Sequence, residues 1–164
     1  MPSKTKLKNA AIAAKSAALP KIPNEVIDQF ITGPMTGEAV NAASLAFKKA
    51  LIERAMGVEL GYHLGYPAGA AKPDAATNQR NGKSAKTVLT GEEPLRIEVP
   101  RDRDGSFEPI LIPKHERRFT GFDEHIIAMY ARGMTMREIQ GFLLESYGTE
   151  VSVEFISSVT EAVM

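Results

Sequence analysis

Apolar residues recur at helical spacing in the first third of the chain. Between residues 37 and about 60 no proline interrupts an alanine-rich stretch, so the sequence predicts one long helix there. A shorter helix is predicted over residues 22–31, before Gly33-Pro34 ends it. A helix that is apolar on two faces must be covered on both, either by a second copy in an intertwined homodimer or by the second half of this chain or a larger parent protein. The long helix has two such faces, formed by Val40, Phe47, Leu51 and Val58 and by Leu45, Ile52 and Met56.

The pattern then changes from helical spacing to strand alternation. Residues 87–90 and the alternating residues 95–99 predict two strands with one buried face. The following Asp-Gly pair is a strong hairpin signal, and residues 106–112 are predicted to return as an edge strand because they contain a proline. Residues 86–118 therefore predict a small antiparallel β-meander. Its outward charges are mixed, which is typical of a solvated face: Arg96, Arg101, Asp102, Arg103 and Asp104.

Three helical patterns with short joints fill residues 119–164. The second begins at Thr135, which is predicted to cap it in a capping box with Glu138, and Ser152 is predicted to cap the third, which runs to the end of the chain. Two helices joined by a short glycine-containing turn, with a third close behind, are typical of a helix-turn-helix DNA reader, although other small three-helix units have a similar pattern. The whole sequence thus predicts an α+β fold that is mainly α.

Small polar side chains on the third of these helices predict a surface that could enter a DNA groove. Ser157 and Ser158 lie with Glu154 opposite the apolar face of that helix. Thr135 and Arg137, at the start of the second helix, are candidate contacts as well, because which joint is the reading turn stays open. This block carries two basic and seven acidic residues, and phosphates repel carboxylates. Other segments would therefore have to supply the positive charge.

Three segments could supply that charge. Residues 1–21 carry five lysines and no acid, which fits either a basic flexible tail on DNA or a solvated, frayed end. Residues 65–85 have the composition of an irregular linker, which fits either a basic strap on phosphates or a merely soluble connection. The third segment is a basic patch at the end of the meander segment, formed by Lys114, Arg117 and Arg118. The basic candidates in and beside the last two segments are Arg80, Lys83, Lys86, Lys114, Arg117 and Arg118.

Composition excludes several classes of protein. The chain has 164 residues, enough for one ordinary domain or two very small ones, and its 20 basic residues balance its 20 acidic ones, unlike those of a histone-like protein. It has no cysteine, which excludes disulfides, thiol catalysis and thiolate zinc sites, and its three histidines are not at zinc-motif spacing. No apolar run reaches the about 20 residues that span a bilayer. The N-terminus does not have the pattern of a signal peptide, so an intracellular, soluble protein is expected.

Nine short runs of the sequence point to one protein family. They are GPMT at 33–36, LIERA at 51–55, HLGY at 63–66, RNG at 80–82, KTV at 86–88, EVPRDRDGSFEP at 98–109, YARGM at 130–134, REIQ at 137–140 and ISSVT at 156–160. In this order the runs resemble bacterial Mutator-type insertion-sequence transposases over about residues 20–164. The charged, proline-flanked run at 98–109 is especially specific.

The resemblance implies a protein that cuts and rejoins DNA with three acidic residues (a DDE set) on a ribonuclease-H-like domain, assisted by two divalent metals such as Mg²⁺. It also implies an N-terminal region that recognises the terminal inverted repeats of an insertion element in a bacterial cytoplasm, associated with the nucleoid. No acid of this chain matches that catalytic set, so we expect no cofactor here and a truncated transposase whose catalytic domain would follow Met164. Four acids are interpreted as hairpin and helix-cap residues: Asp102, Asp104, Asp123 and Glu124.

Two functions other than DNA recognition stay open. A dimerising interaction module, without specific DNA binding of its own, could inhibit a full-length transposase by forming mixed dimers. The doubly apolar helix is the feature that favours a homodimer or oligomer. An active metal-dependent nuclease is the third alternative, for which no convergent set of carboxylates can be placed.

Overall fold

The computed structural model describes residues 1–163 and is an α+β fold that is mainly α, as predicted. These residues form two compact units, residues 1–43 and the residues from Ser44 onward. The sheet has two strands, and the elements in chain order are α1 (Lys4–Ala17), α2 (Asn24–Asp28), α3 (Gly37–Leu64), β1 (Arg80–Leu89), β2 (Pro94–Asp102), α4 (Phe122–Ala131), α5 (Met136–Tyr147) and α6 (Val153–Glu161).

The basic N-terminal segment forms a helix, α1, where the sequence favoured a flexible or frayed tail. Its alanines have high helix propensity, and the Ser3 hydroxyl caps it by accepting a hydrogen bond from the Lys6 N–H at 3.3 Å. Every residue of α1 is exposed. Helix formation here therefore follows from local propensity and capping rather than from burial.

The second half of the chain covers one of the two apolar faces of α3. Ile52 and Met56 are buried against the hairpin, in a cluster that includes Val88 and Ile97. This is one of the two covers that the sequence left open. The face that carries Leu51 stays largely in solvent. Three side chains on this face have large exposed fractions: Val40 48%, Leu51 58% and Val58 53%.

β1 and β2 pair as an antiparallel hairpin, with Lys86 opposite Ile97. β1 begins inside the segment predicted as linker, and its pairing is irregular between Arg80 and Lys83, around Gly82 with its φ of 69°. The prediction of a third strand over residues 106–112 is wrong, because the described sheet has only two strands. The Asp102 carboxylate accepts hydrogen bonds from the N–H groups of Ser106 and Phe107, the residues that would begin that strand. These bonds turn the chain away from the sheet.

The three C-terminal helices pack around a common core. Phe122 of α4, Leu143 of α5 and Ile156 of α6 are all fully buried in it. α5 and α6 begin within one residue of their predicted starts, with the capping box at Thr135 and the cap at Ser152. The helices are therefore confirmed, whereas the end of the third prediction, at Met164, lies outside the described residues.

The hairpin is joined to the helical core by short backbone hydrogen bonds. The Leu89 N–H donates to the Arg117 carbonyl at 2.6 Å, and the Phe119 N–H donates to the Leu89 carbonyl at 2.7 Å. A Cβ at Gly91 would stand 3.2 Å from the Gly121 carbonyl, so a larger residue would require the two backbones to separate by a few tenths of an ångström.

Candidate nucleic-acid interface

The outer face of α6, which the sequence predicts as a reading surface, is accessible at two of its three residues. Glu154 and Ser158 are exposed, and Ser157 is half-buried. The Ser158 hydroxyl donates to the Phe155 carbonyl at 2.7 Å, and the Ser157 hydroxyl donates to Glu161 Oε1 at 3.2 Å. Each hydroxyl oxygen keeps lone pairs, so both serines could still accept hydrogen bonds from base amino groups.

The candidate residues at the start of α5 differ in how far their polar groups are already engaged. Thr135 Oγ1 accepts from the Glu138 N–H at 3.2 Å, and the Thr135 N–H donates to Glu138 Oε2 at 2.8 Å. The threonine therefore stabilises the helix start. Arg137, in the first turn, is exposed.

Two of the candidate cations, Arg80 and Arg118, make both hydrogen bonds and aromatic contacts within the chain. Arg80 donates to the Tyr66 carbonyl at 3.0 Å and lies 5.1 Å from the centre of the Tyr66 ring. Arg118 donates to Asp123 at 2.9 Å and to Glu116 at 3.0 Å, and it stacks over Phe155 at 4.6 Å. The Arg80 contacts tie β1 to the segment after α3, and the Arg118 contacts tie the loop before α4 to α4 and α6.

The charge environment of Arg118 is consistent with a structural role. Burial alone would lower its pKa, but hydrogen bonds to Glu116 and the charge of Asp123 raise the pKa above its ordinary value. Because both carboxylates already neutralise this guanidinium, it has less charge to offer an external phosphate than an unpaired arginine has.

A depression of about 370 Å³ brings together three of the predicted cations. Lys86 reaches it from β1, and Lys114 and Arg117 reach it from the loop after β2. Arg101 and His115 line it as well, and both were absent from the predicted site. We call this depression the basic groove. Lys83 is exposed on β1 and is not among the lining residues.

The alternation along β2 could have revealed Arg101. Leu95 and Ile97 are buried and Val99 is half-buried, and the same period of two places Arg101 on their face of the strand. The predicted outward charges include both Arg101 and Arg96, but the alternation places these two residues on opposite faces of the strand. His115 gives no comparable signal, because its place in the groove depends on the path of the loop.

A buried carboxylate, Asp102, organises the floor of the groove. It is 5% exposed and accepts hydrogen bonds from Asn78 Nδ2 at 2.8 Å, from the Ser106 N–H at 3.0 Å and from the Phe107 N–H at 3.2 Å. Burial alone would raise the pKa of Asp102, but these hydrogen bonds hold it well below its ordinary value. The structure thus gives this acid the structural role in the turn that the sequence predicts, but the prediction that Asp102 is an outward, solvated charge is wrong, because its carboxylate is buried among these donors.

A serine and a histidine next to this aspartate are not arranged for nucleophilic catalysis. Ser106 Oγ donates its proton to Asp102 Oδ2 at 2.9 Å, while His63 Nε2 lies 3.0 Å from the same hydroxyl oxygen. In a nucleophilic triad the histidine stands between the hydroxyl and the carboxylate and binds them through different ring nitrogens. Here the serine stands between them, so the cluster joins the end of α3 to the hairpin loop.

The residues present do not fit the divalent metals that the resemblance implies for strand chemistry. Within residues 1–163, no group of three or more histidine, aspartate or glutamate side chains is placed to hold a metal ion. We therefore assign no chemical step to the residues of this chain.

Comparison with known proteins identifies the family. The sequence profile described as "Transposase, Mutator family" matches residues 27–164. The chain is 46% identical over 145 residues to the "Probable transposase for insertion sequence element ISRM3-like" of Sinorhizobium fredii, and 47% identical over 145 residues to the "Transposase for insertion sequence element ISRM3" of Rhizobium meliloti. Each alignment covers 87% of this chain and 36% of the relative.

A more distant relative belongs to another bacterial group. The chain is 33% identical over 84 residues to the "Transposase for insertion sequence element IS256 in transposon Tn4001" of Staphylococcus aureus, an alignment that covers 51% of this chain and 22% of the relative. In the part of the chain that the structure describes, no helix is long and apolar enough to cross a membrane. The match over residues 27–164 shows that the chain belongs to the Mutator family of transposases and spans about a third of the length of its curated relatives.

Proposed function

We propose that this chain is a DNA-binding portion of an insertion-sequence transposase and that it recognises the terminal inverted repeats of its element. The observation that carries the proposal is the exposed outer face of α6, on a helix whose opposite face is anchored in the three-helix core. A helix supported in this way can enter a major groove without rearranging its own packing. Strand cleavage and transfer are not assigned to these residues.

A single added carboxylate on α6 tests the reading face. Ser158→Glu places a negative charge on the exposed face, where base edges and flanking phosphates would lie. We expect binding to an inverted-repeat duplex to weaken by about 10-fold or more, within the about 1–3 kcal/mol that one lost base contact costs. Binding to a scrambled duplex of equal length should change by less than about 3-fold, because sequence-independent contacts go to the backbone.

The matched control is Ser146→Glu, which adds the same charge at an exposed serine of α5. Fluorescence anisotropy with both duplexes gives the two dissociation constants for each variant, and thermal melting checks that both are folded. The reading-face assignment is wrong if the ratio of specific to non-specific binding stays the same in Ser158→Glu. It is also wrong if Ser146→Glu lowers that ratio equally.

A second candidate function, self-association, is favoured by the uncovered face of α3. Leu51 is 58% exposed, Val58 is 53% exposed and Tyr62 is 87% exposed. The spacing of seven and then four residues along a 28-residue helix repeats on one side, as it does in helices that pair through a narrow apolar seam. A second copy packed against this face would bury these side chains.

Light scattering at micromolar concentration tests this candidate. The native chain is expected to be a dimer, and Leu51→Glu together with Val58→Glu should make it a monomer, because two charges would be buried in the seam. Ala46→Glu is the control, since this exposed residue of α3 lies outside the seam. A native chain that is monomeric under these conditions would remove the dimerising function.

A further inference from the structure

The basic groove combines parts of the chain that are far apart in sequence. Ser84 and Lys86 of β1 form one wall, and residues 99–102 of β2 continue it. The loop after β2 returns past the same edge and supplies Lys114 and Arg117. The result is a concave surface whose charged groups come from three segments.

The lining carries more positive than negative charge. Among its described residues are Lys86, Arg101, Lys114 and Arg117, against the single carboxylate of Asp102. That carboxylate faces four donor groups of its own and is buried below the surface.

Two nearby acids, Glu108 and Glu116, reduce this excess but do not remove it, because four cations then face three carboxylates. Glu108 accepts from the Lys114 N–H at 2.8 Å, and Glu116 accepts from the Arg117 N–H at 3.1 Å and from the Arg118 side chain. Burial lowers the pKa of Lys86, and the positive charge of Arg117 acts in the same direction, while Glu116 and Glu108 oppose it. The fold thus holds the positive charges of Lys86 and Arg117 close together where water is partly excluded. A bound anion would reduce the repulsion between these two charges.

The groove is also held in a fixed shape. Phe107 and Ile112 are buried, and the Glu59 carboxylate of α3 accepts from the Ile110 N–H at 2.7 Å. Lys86 Nζ donates to the Pro113 carbonyl at 2.9 Å, and Lys114 Nζ donates to the Gly105 carbonyl at 3.1 Å. Each ammonium therefore has one N–H engaged and two available, on a stem that is already positioned. A preorganised site spends less free energy on ordering its side chains when a ligand binds.

The backbone at His115 is unusual. Among the described residues it is the only non-glycine residue with a positive φ, at 70°. Histidine is one of the residue types enriched in this left-handed region, but the conformation still costs more than an ordinary loop geometry. It lies between Lys114 and Arg117, on the rim of the groove, where a strained turn sets the path of the loop.

We propose that the basic groove binds the phosphodiester backbone of duplex DNA and is a main source of the sequence-independent part of its binding. Arg101 and Arg117 contact phosphate oxygens through their guanidinium groups, and Lys86 and Lys114 add charge at the floor. Guanidinium groups suit this contact because their planar N–H pairs match the oxygens of a phosphate. The inference rests on the proposed function and extends it by naming the surface that holds the backbone.

Salt-dependent binding to a random-sequence duplex tests the groove. Each phosphate that is neutralised contributes about 0.9 to the slope of log K against log salt. The double variant Arg101→Gln and Arg117→Gln should therefore reduce the magnitude of the slope by about 2. The control is Arg96→Gln and Arg103→Gln, which changes the net charge equally at two exposed arginines of the same region that do not line the groove. The control should leave the slope unchanged, and both variants should melt like the native chain.

Inorganic phosphate separates a backbone site from a site for small anions. At constant ionic strength, replacing chloride by phosphate should weaken duplex binding of the native chain and should have less effect on the groove variant. Free phosphate that shifts the arginine Nε signals of Arg101 and Arg117 in NMR spectra without competing with duplex would overturn the proposal. Equal slopes for the two double variants would overturn it as well.

The outcomes also distinguish this inference from the proposed function. The groove proposal is wrong and the proposed function stands if the native chain prefers the inverted repeat but the groove variant has the native salt slope. A slope that depends on the groove, without preference for the inverted repeat, keeps the groove and rejects sequence recognition. A native chain that binds no duplex overturns both.

Discussion

Replacing Asp102 by asparagine should destabilise the chain far more than the small change in shape suggests. The carboxylate accepts three hydrogen bonds at Oδ2, from Asn78 Nδ2 and from the backbone and hydroxyl of Ser106, and one at Oδ1 from the Phe107 N–H. An asparagine that places its carbonyl oxygen at the Oδ2 position, where three donors converge, must place its amino group at the Oδ1 position, facing the Phe107 N–H. One buried donor then loses its acceptor, and the other bonds lose the strength that a charged acceptor gives them.

The magnitude follows from these four bonds. An unsatisfied buried donor costs about 1–3 kcal/mol, and weakening the remaining charge-assisted bonds adds about 1 kcal/mol, so we expect a loss of about 2–4 kcal/mol in the free energy of unfolding. Urea denaturation at pH 7 measures this loss. Asp104→Asn is the matched control, because Asp104 is exposed two residues further along the same turn. If Asp102→Asn costs no more than Asp104→Asn, the hydrogen-bond reasoning is refuted.

The same carboxylate predicts how stability depends on pH. The pKa of Asp102 in the folded chain is held below the ordinary value of 3.8. The contribution of this carboxylate to the free energy of unfolding is therefore complete above that value and is lost as the pH falls toward the folded pKa. The difference in unfolding free energy between the native chain and Asp102→Asn should therefore be constant between about pH 5 and 7 and should shrink below about pH 4. A difference that grows on acidification would contradict the assignment.

Three further substitutions test the packing of the second unit by thermal melting. Gly91→Ala should cost about 1–3 kcal/mol, because its Cβ would lie 3.2 Å from the carbonyl group of Gly121; full stability would show that the two backbones separate easily. Thr135→Ala should cost about 1 kcal/mol by removing the acceptor for the Glu138 N–H, and an unchanged melting temperature would mean that the capping box is dispensable. Tyr147→Phe should be neutral or stabilising within about 1 kcal/mol, since the buried hydroxyl has no hydrogen-bond partner among the described residues, and a clear loss would reveal such a partner.

Sequence reasoning succeeds where a local signal determines the structure. The capping box at Thr135 and the cap at Ser152 identify the starts of α5 and α6 because the capping atoms lie within three residues of the groups that they satisfy. The alternation at Leu95 and Ile97 likewise identifies β2 and its buried face. Each of these patterns lies within one element and does not depend on the rest of the fold.

The failures occur where a distant or competing partner decides. The predicted third strand does not form because the Asp102 carboxylate takes the N–H groups of Ser106 and Phe107, and an Asp-Gly pair alone does not reveal that competition. The contacts of Arg118 with Asp123 and with the ring of Phe155 likewise depend on how α4 and α6 pack, which the sequence does not reveal, and its DNA contact stays a prediction. The basic groove also depends on distant residues, because Arg117 comes close to Lys86 only where the loop after β2 returns to β1.

The salt dependence of DNA binding can decide among the sources of positive charge that the sequence leaves open. If the four permanent cations of the basic groove are the main contacts, the slope of log K against log salt should be about −3 to −4, at about 0.9 per phosphate. The four lysines of α1 would about double that slope if they also bound phosphates. They lie on a helix without any buried residue, so their side chains pay the full entropy of ordering on DNA, and we expect the shallower slope. Replacing the four lysines of α1, which are Lys4, Lys6, Lys8 and Lys15, by glutamine should then leave the slope unchanged. A native slope of about −7 whose magnitude becomes smaller in this variant would instead assign backbone binding to α1.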